Sequence, residues 1–159
     1  MLQNIDYINI APMNDWQEEV DLRSRLQGFI SRHSNLKFTH TLCTFGHKRN
    51  DPFVIAQFMM SQSTTFHPLI AVNPAYINPV QTAKKIITLS ELYPNQIALN
   101  LITGSFQNEA RSIGDLLSFE EKQNRLIEFW SVLDQALSEN GRIDFQGKYY
   151  QYSKVELFP

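Results

Sequence analysis

The sequence predicts an α/β fold built around a parallel β-sheet, and two observations carry this prediction. Segments with the character of β-strands alternate four times with segments of helical periodicity, an order that favours parallel strands joined by right-handed crossovers. The strand segments 67–73 and 96–103 are almost continuously apolar, as is typical of strands covered by helices on both faces. A β-hairpin is predicted after the fourth helix.

The first two strand–helix pairs are predicted from apolar periodicity and from a helix start signal. Residues 5–12 are predicted to form the first strand, which ends at a proline. A helix is predicted over 15–34, because apolar residues recur there at near-helical spacing. The second strand, 36–45, is rich in β-branched and aromatic residues. Asp51 and Pro52 then begin the second helix, since Asp suits the N-cap and Pro the first helical position.

The third strand–helix pair has the same kind of start signal. Residues 67–73 form the predicted strand. Asn78 is a suitable N-cap and Pro79 a suitable first helical residue. The predicted helix ends near Leu92, ahead of the proline at position 94. The fourth strand then covers residues 96–103.

The last third of the chain is predicted to contain a loop, a long helix and the hairpin. Residues 104–117 are polar and are predicted to form a loop. Ser118 and Glu121 have the S-x-x-E spacing of a capping box, which begins a helix that extends to about Ser138. Residues 142–158 alternate in polarity around Gln146-Gly147, as strands of a hairpin do.

Composition limits the classes of protein to consider. The 159 residues are 43% hydrophobic and carry a net charge of −2, and no domain boundary is visible, so one soluble domain over residues 1–159 is expected. There is no Lys/Arg stripe, so nucleic-acid binding is not expected. No apolar run approaches the ~20 residues that span a bilayer, and the N-terminus lacks a secretory pattern. With Cys43 as the single cysteine, a cytoplasmic protein is expected.

A polar residue within an apolar strand is the main functional signal of the residues themselves. Asn100 lies in the C-terminal half of the fourth strand, and Thr103 lies at its end. A buried amide without partners costs about 1–3 kcal/mol, and ligands of α/β sheets bind at the carboxyl ends of strands. Two interpretations stay open: Asn100 meets a polar ligand, or it bonds to neighbouring backbone or water.

Three stretches carry a resemblance to a known family. They are ALNLITGSFQNEARSIGD (98–115), AVNPAYINPVQTAKKIITLSEL (71–92) and FQGKYYQYSKVELFP (145–159). Together they resemble the flavin-dependent monooxygenases of the bacterial luciferase-like superfamily, of the alkanesulfonate and nitrilotriacetate monooxygenase type. The resemblance extends from about Leu36 to Pro159. It implies a partial (β/α)8 TIM barrel, with about four βα units and a C-terminal β-hairpin that correspond to the N-terminal half of the family's barrel.

The same resemblance implies the cofactor and the partners. Members bind reduced FMN supplied by a separate flavin reductase, and they oxygenate a small organic substrate with O₂. A related branch uses a deazaflavin, but the N-L-I-T-G segment (100–104) is more similar to the FMN branch. Four βα units leave two open sheet edges, so a homo-oligomer or a complementary C-terminal half chain is expected. The alternative function is a truncated, non-catalytic relative that acts as a flavin-binding or assembly subunit.

Site residues are implied position by position. The residues that match flavin-binding positions are Thr44, Phe45, Ala71, Val72, Asn100, Thr103 and Gln123. The peptide between Ala71 and Val72 is expected to be cis, as it often is in the family. Phe119 and Gln123 stand where the family's H-x-x-R-Y motif has His and Tyr.

Three further residues are weighed from their positions in the sequence. His47 follows the second strand and is the candidate catalytic contact to substrate or flavin, with a solvated loop histidine as the alternative. His40 and His47 lack a partner at metal-ligand spacing, so no metal site is expected. Cys43 lies within a strand and is expected to pack as a small hydrophobe.

Overall fold

The computed structural model describes residues 6–12, 21–33, 36, 38–104, 107–138 and 141–157. In chain order the strands and helices are β1 (Ile8–Ile10), α1 (Leu22–His33), β2 (His40–Cys43), α2 (Pro52–Gln62), β3 (Pro68–Val72), α3 (Pro79–Leu92), β4 (Ala98–Leu101), α4 (Gln107–Ser112), α5 (Phe119–Leu137), β5 (Arg142–Gln146) and β6 (Gln151–Glu156). The chain forms two compact units. Unit 1 comprises Met1–Val72 and Leu89–Asn100, and unit 2 comprises Asn73–Thr88 and Leu101–Pro159.

The first four strands form one sheet in the order β1-β2-β3-β4. β1 pairs with β2 in parallel, with Asn9 opposite Thr41, and β2 pairs with β3 in parallel, with Cys43 opposite Ile70. The predicted alternation of strands and helices is confirmed. The strands are shorter than predicted. In β1, for example, only Ile8–Ile10 pair with β2. Part of the first predicted helix, residues 15–20 and 34, lies outside the described residues.

Helices α2 and α3 begin where their caps predicted. The Asp51 carboxylate accepts hydrogen bonds from the backbone N–H groups of Phe53 and Val54 at 2.9 and 3.0 Å. The Asn78 side chain accepts from the N–H of Gln81 at 2.8 Å. Each cap satisfies N–H groups that the first helical turn leaves without a partner. Both helices therefore start at a proline in the first position, as the sequence indicated.

In unit 1, a buried asparagine ties the segment before β4 to the loop after α2. Asn95 is only 6% exposed. Its Nδ2 donates to the carbonyl oxygens of Ser63 and Phe66, at 2.9 and 2.5 Å. Because this loop leads into β3 and Asn95 precedes β4, the two bonds join the segments that enter these strands.

The long helix α5 and the hairpin form the core of unit 2. The Ser118 hydroxyl accepts from the N–H of Glu121, whose carboxylate accepts in turn from the N–H of Ser118, so the predicted capping box is confirmed. α5 packs against β5. The side chains of this core are fully buried: Phe129, Val132, Leu133, Ala136 and Ile143.

A glutamate of α5 holds the loop of the hairpin. β5 and β6 pair antiparallel, and residues 147–150 connect them. Glu128 accepts three hydrogen bonds from backbone N–H groups of this loop, at 2.8 to 3.2 Å. A Cβ atom at Gly147 would collide with the Glu128 carboxylate and with the ring of Phe145. The close approach of Glu128 to the loop therefore explains the glycine at position 147.

The predicted loop over 104–117 is wrong in part, because it contains α4. The helix ends in a Schellman motif: Gly114 has φ +80°, its N–H donates to the Arg111 carbonyl, and the N–H of Asp115 donates to the Ala110 carbonyl. Glu109 in the first turn and Arg111 in the last suit the helix dipole. A short helix stabilised by such local contacts gives too little apolar periodicity to be read from the sequence.

Candidate functional site

The candidate site of unit 1 lies at the edge formed by the carboxyl ends of β2, β3 and β4. In the parallel sheet these three strands are neighbours, so the residues that follow them come to the same edge. Thr44 and Phe45 follow β2, Val72 ends β3, and Asn100 lies one residue before the end of β4. The structure therefore brings the predicted residues of unit 1 to one sheet edge, the edge at which α/β proteins bind ligands.

The Thr44 hydroxyl is the most informative atom at this edge. Its Oγ1 is buried and has no hydrogen-bond partner among the described residues. A buried hydroxyl left in this state costs about 1–3 kcal/mol, so native proteins rarely retain one without a reason. A ligand or an ordered water at this edge would supply the missing hydrogen bond.

Asn100 is half-buried at the same edge. Within the described part of the chain, its amide neither donates nor accepts a hydrogen bond. The alternative that Asn100 bonds to water, or to backbone beyond these residues, stays open. An amide carries two donor hydrogens and an acceptor oxygen, so its free hydrogen-bonding capacity complements that of Thr44.

Between these two polar groups, β3 ends in buried apolar residues. Ala71 and Val72 are 2% and 1% exposed. No peptide bond within the described residues is cis, so the expected cis peptide between Ala71 and Val72 is wrong. The trans form is lower in energy by about 3 kcal/mol, and the strand continues through both residues in extended conformation.

The remaining predicted residues belong to unit 2. Thr103 is half-buried just after β4, and Gly104 follows with φ +78°. A Cβ atom at Gly104 would lie 3.0 Å from Nδ2 of Asn73, a buried residue whose Oδ1 accepts from the N–H of Ala75. Asn73 thus shapes the turn after Thr103, and sequence reasoning missed this residue. Its position directly after an apolar strand and before a proline was the available signal.

At the start of α5, the predicted residue Gln123 lies next to a buried ion-pair cluster in the chain. Gln123 is half-buried, and Phe119 is 72% exposed. The neighbouring Lys122 is buried, with its Nζ 3.7 Å from the Asp115 carboxylate, and Arg125 binds the same carboxylate through two hydrogen bonds at 2.9 and 3.1 Å. This cluster was not predicted, although two cations three residues apart on one helix face were visible in the sequence.

His47 and Cys43 lie near the site in the chain but in opposite environments. His47 is exposed in the loop between β2 and α2, where solvent and a ligand both have access. Cys43 is fully buried, and burial raises the pKa of its thiol to about 12. A thiol in that state is not a nucleophile at neutral pH.

Cys43 is therefore expected to resist thiol reagents until the protein unfolds. At pH 8 a disulfide reagent should label the native chain at least ~100-fold more slowly than the chain in denaturant, since labelling requires opening. Absorbance of the released thiolate measures the labelling rate, and Cys43→Ala is the blank. Rapid labelling of the native chain would contradict the burial.

The same burial makes stability depend on pH, because it raises the folded-state pKa of Cys43 above the ordinary 9.0. The contribution of the protonated thiol to the free energy of unfolding is therefore complete below pH 9 and is lost as the pH rises towards 12.

A cavity of about 40 Å³ in unit 1 lies away from this edge, near the starts of β2 and β3. Two histidines that line it have structural hydrogen bonds: His33 Nδ1 donates to the Phe29 carbonyl at 2.8 Å, and His67 Nδ1 accepts from the N–H of Gln96 at 3.1 Å. Asn9 Oδ1 is buried there without a partner in the described part of the chain. The volume admits one or two water molecules and excludes anything as large as a flavin.

Two negative findings apply to the described residues. No three His, Cys, Asp or Glu side chains among them are placed to hold one metal ion. No helix in this part of the chain has the length and apolarity needed to cross a membrane.

Comparisons with known proteins extend these observations. Residues 17–159 match the family described as luciferase-like monooxygenase. The 4-(gamma-L-glutamylamino)butanoyl-BtrI acyl-carrier protein monooxygenase BtrO of Niallia circulans is 30% identical over 119 residues, which are 75% of this chain and 35% of that protein. The crystal structure of the long-chain alkane monooxygenase LadA superposes with a TM-score of 0.77 at 15% identity, over 99% of this chain and 49% of LadA. The riboflavin lyase RcaE, solved with modified FMN and riboflavin, gives a TM-score of 0.73 at 14% identity, over 96% of this chain and 46% of RcaE.

The chain thus spans about a third to a half of the length of these relatives. Their shared fold confirms the expected α/β fold, similar to about half of a luciferase-like barrel. The match over residues 17–159 covers most of the sequence and confirms the resemblance. This chain belongs to the luciferase-like monooxygenase family.

Proposed function

We propose that this chain is the N-terminal part of an FMN-dependent monooxygenase, which binds reduced FMN at the carboxyl edge of its sheet and oxygenates a small organic substrate with O₂. The buried Thr44 hydroxyl without a partner is the observation that carries the proposal. Family membership supports it, as does the presence of a modified FMN in the structure of the related riboflavin lyase.

The residues at the edge fit a flavin ring. A flavin ring carries carbonyl oxygens, ring nitrogens and an N–H group along one edge, and the Thr44 hydroxyl and the Asn100 amide offer the donors and acceptors that would pair with them. The backbone at Ala71 and Val72 would pack against the ring, as it does in the family, and Phe45 would flank it. When bound, reduced flavin supplies the electrons and the activation of O₂. The side chains of this chain orient the ring and exclude water.

Three further residues are implied by the resemblance. Thr103 and Gln123, which belong to unit 2, match family positions that contact the flavin. His47, exposed in the loop after β2, would contact the substrate or the flavin.

The proposal includes partners. A separate flavin reductase in the cytoplasm supplies reduced FMN. Within the described residues, β1 and β4 are the edge strands of the sheet, and Ile8 and Ile10 of β1 are 51% and 60% exposed. Unpaired edges beside exposed apolar side chains favour association. We therefore propose that a second copy or a complementary C-terminal chain covers these strands, which light scattering of the purified protein would detect.

One observation favours a second candidate function, a non-catalytic flavin-binding or assembly subunit. Phe119 stands where the family has a histidine, and it is 72% exposed. A phenyl ring cannot exchange a proton or bond to a phosphate. In this alternative the chain binds FMN and the substrate is not oxygenated.

Titration with FMN tests the proposal. At a hundredfold excess over Kd, FMN should stabilise the chain by about 2.7 kcal/mol, seen as a rise in Tm and as quenched flavin fluorescence. Thr44→Val keeps the shape of the side chain and removes the hydroxyl, so it should weaken binding about tenfold. Thr39→Val removes a hydroxyl that donates to the Tyr7 carbonyl and should leave FMN affinity unchanged.

The outcomes separate the candidates. No change in Tm at millimolar oxidised or anaerobically reduced FMN contradicts the proposed function and a flavin-binding subunit, and leaves the assembly subunit. FMN binding with no oxygenated product, in the presence of a flavin reductase and O₂, favours the subunit. Equal FMN affinity of Thr44→Val and the wild type would remove Thr44 from the site.

A further inference from the structure

We propose that Asn73 binds the ring of FMN through its side-chain N–H groups and favours the reduced form of the cofactor over the oxidised form. The inference rests on the proposed function, since it adds a contact to the same ligand. Asn73 directly follows β3 and is 6% exposed. It belongs to unit 2 together with Thr103, the residue that matches a flavin-binding position of the family.

The side chain of Asn73 is held in one orientation by its own turn. Its Oδ1 accepts from the backbone N–H of Ala75 at 3.0 Å, and its backbone carbonyl accepts from the N–H of Tyr76 at 3.0 Å. Such an Asx-turn is local and depends on the adjacent chain alone. Because the N–H of Ala75 needs an acceptor, this bond determines which end of the amide is the oxygen. The position of Nδ2 is therefore fixed as well.

The amide nitrogen of Asn73 faces the turn that follows Thr103. A Cβ atom at Gly104 would lie only 3.0 Å from this Nδ2, so the glycine lets the amide approach the backbone closely. Gly104 also has φ +78°, a conformation that glycine adopts without strain. Thr103 is half-buried. A molecule that contacts Thr103 therefore comes within reach of the Asn73 donor.

The Nδ2 group of Asn73 has unused hydrogen-bonding capacity. Within the described residues, no acceptor pairs with its two hydrogens. Polar groups of buried residues in native proteins almost always have a partner. An ordered water or an acceptor atom of a ligand would supply one here, and the two cases differ in what happens to this group when FMN is added.

The chemistry of FMN explains a preference for one redox state. The ring of oxidised FMN is neutral and offers carbonyl oxygens and ring nitrogens as acceptors. Reduced FMN carries a negative charge on its ring at neutral pH. A hydrogen bond to an ionised acceptor is roughly twice as strong as one between neutral groups. A donor that is fixed in place before the ligand binds, as Asn73 Nδ2 is, therefore stabilises the reduced form more.

Two binding measurements test the proposal without turnover. In ¹⁵N NMR spectra with triple-resonance assignment, the Nδ2–H signals of Asn73 should shift saturably with FMN in either redox state. Those of Asn78, an exposed N-cap of the same unit, should stay unchanged. Anaerobic titration calorimetry should give an affinity for reduced FMN about tenfold higher than for oxidised FMN.

Matched variants change an amide to a carboxylate at both positions. Asn73→Asp keeps the oxygen that accepts from Ala75 and replaces the donor by a charge, so it should weaken reduced FMN about 100-fold and oxidised FMN about tenfold. Asn78→Asp keeps its bond to Gln81 and should leave both affinities unchanged. Asn73→Ser is neutral and too short to place a donor where Nδ2 lies. It should weaken both forms severalfold, which separates the lost donor from the added charge.

The outcomes distinguish this inference from the proposed function. If FMN binds but the Asn73 signals do not move, the donor is satisfied by water and the inference is overturned alone. Equal affinities of the wild type for the two redox states, or of Asn73→Asp and the wild type for reduced FMN, would also overturn it alone. No binding of FMN in either redox state overturns both. Should Asn73→Asp fail to fold, the wild-type titrations decide.

Discussion

Replacing Asp115 by alanine will lower the free energy of unfolding by about 3–5 kcal/mol, because it leaves buried cations without a counter-charge. The Asp115 side chain is 6% exposed, and those of Lys122 and Arg125 are 8% and 14% exposed. Arg125 donates two hydrogen bonds to this carboxylate. Urea denaturation with an unchanged m-value measures the loss.

The hairpin supplies a matched control for this prediction. Arg142 and Glu156 form an ion pair of 2.7 Å, but their side chains are 74% and 55% exposed. Glu156→Ala should therefore cost less than about 1 kcal/mol. Asp115→Ala should also be rescued in part by Arg125→Met in the same chain, since that change removes the stranded charge. If Asp115→Ala and Glu156→Ala lower the free energy of unfolding equally, the Asp115 cluster is hydrated and its burial does not determine its contribution to stability.

The starts of the helices were predictable because their causes are local. Asp51, Asn78 and the pair Ser118 and Glu121 each satisfy N–H groups within three residues in the sequence. Such contacts depend on the adjacent chain alone. The fold class followed from the same local signals, since alternating strands and helices leave few topologies.

Features that depend on distant residues were not predictable. Asp115 meets Arg125 across ten positions of the chain, and the sequence shows only that both are charged. The absence of a partner for the Thr44 hydroxyl is a property of its three-dimensional surroundings. Family resemblance gave Thr44 its place in the site, and the structure added the physical reason to test it. The resemblance also led to the wrong expectation of a cis peptide after Ala71.

Replacing Asn100 by leucine will separate binding from stability, because the Asn100 amide has no hydrogen-bond partner among the described residues. Leucine has a similar volume and no polar atoms to desolvate. The free energy of unfolding should therefore stay constant or rise by up to about 1 kcal/mol. FMN would lose the hydrogen bonds proposed for this amide, so its affinity should fall by about 1–3 kcal/mol, or roughly 5- to 150-fold. Flavin fluorescence and urea denaturation give the two quantities on one sample.

Asn95→Leu is the matched control, since the same chemical change should have the opposite effects there. Asn95 is buried, and its Nδ2 donates to the carbonyl oxygens of Ser63 and Phe66. Leucine at this position leaves the buried Phe66 carbonyl and the part-buried Ser63 carbonyl without this donor and should cost about 2–3 kcal/mol. FMN affinity of the folded fraction should be unchanged. A clear loss of stability in Asn100→Leu, with FMN affinity intact, would mean that Asn100 serves the sheet and that the flavin does not depend on it.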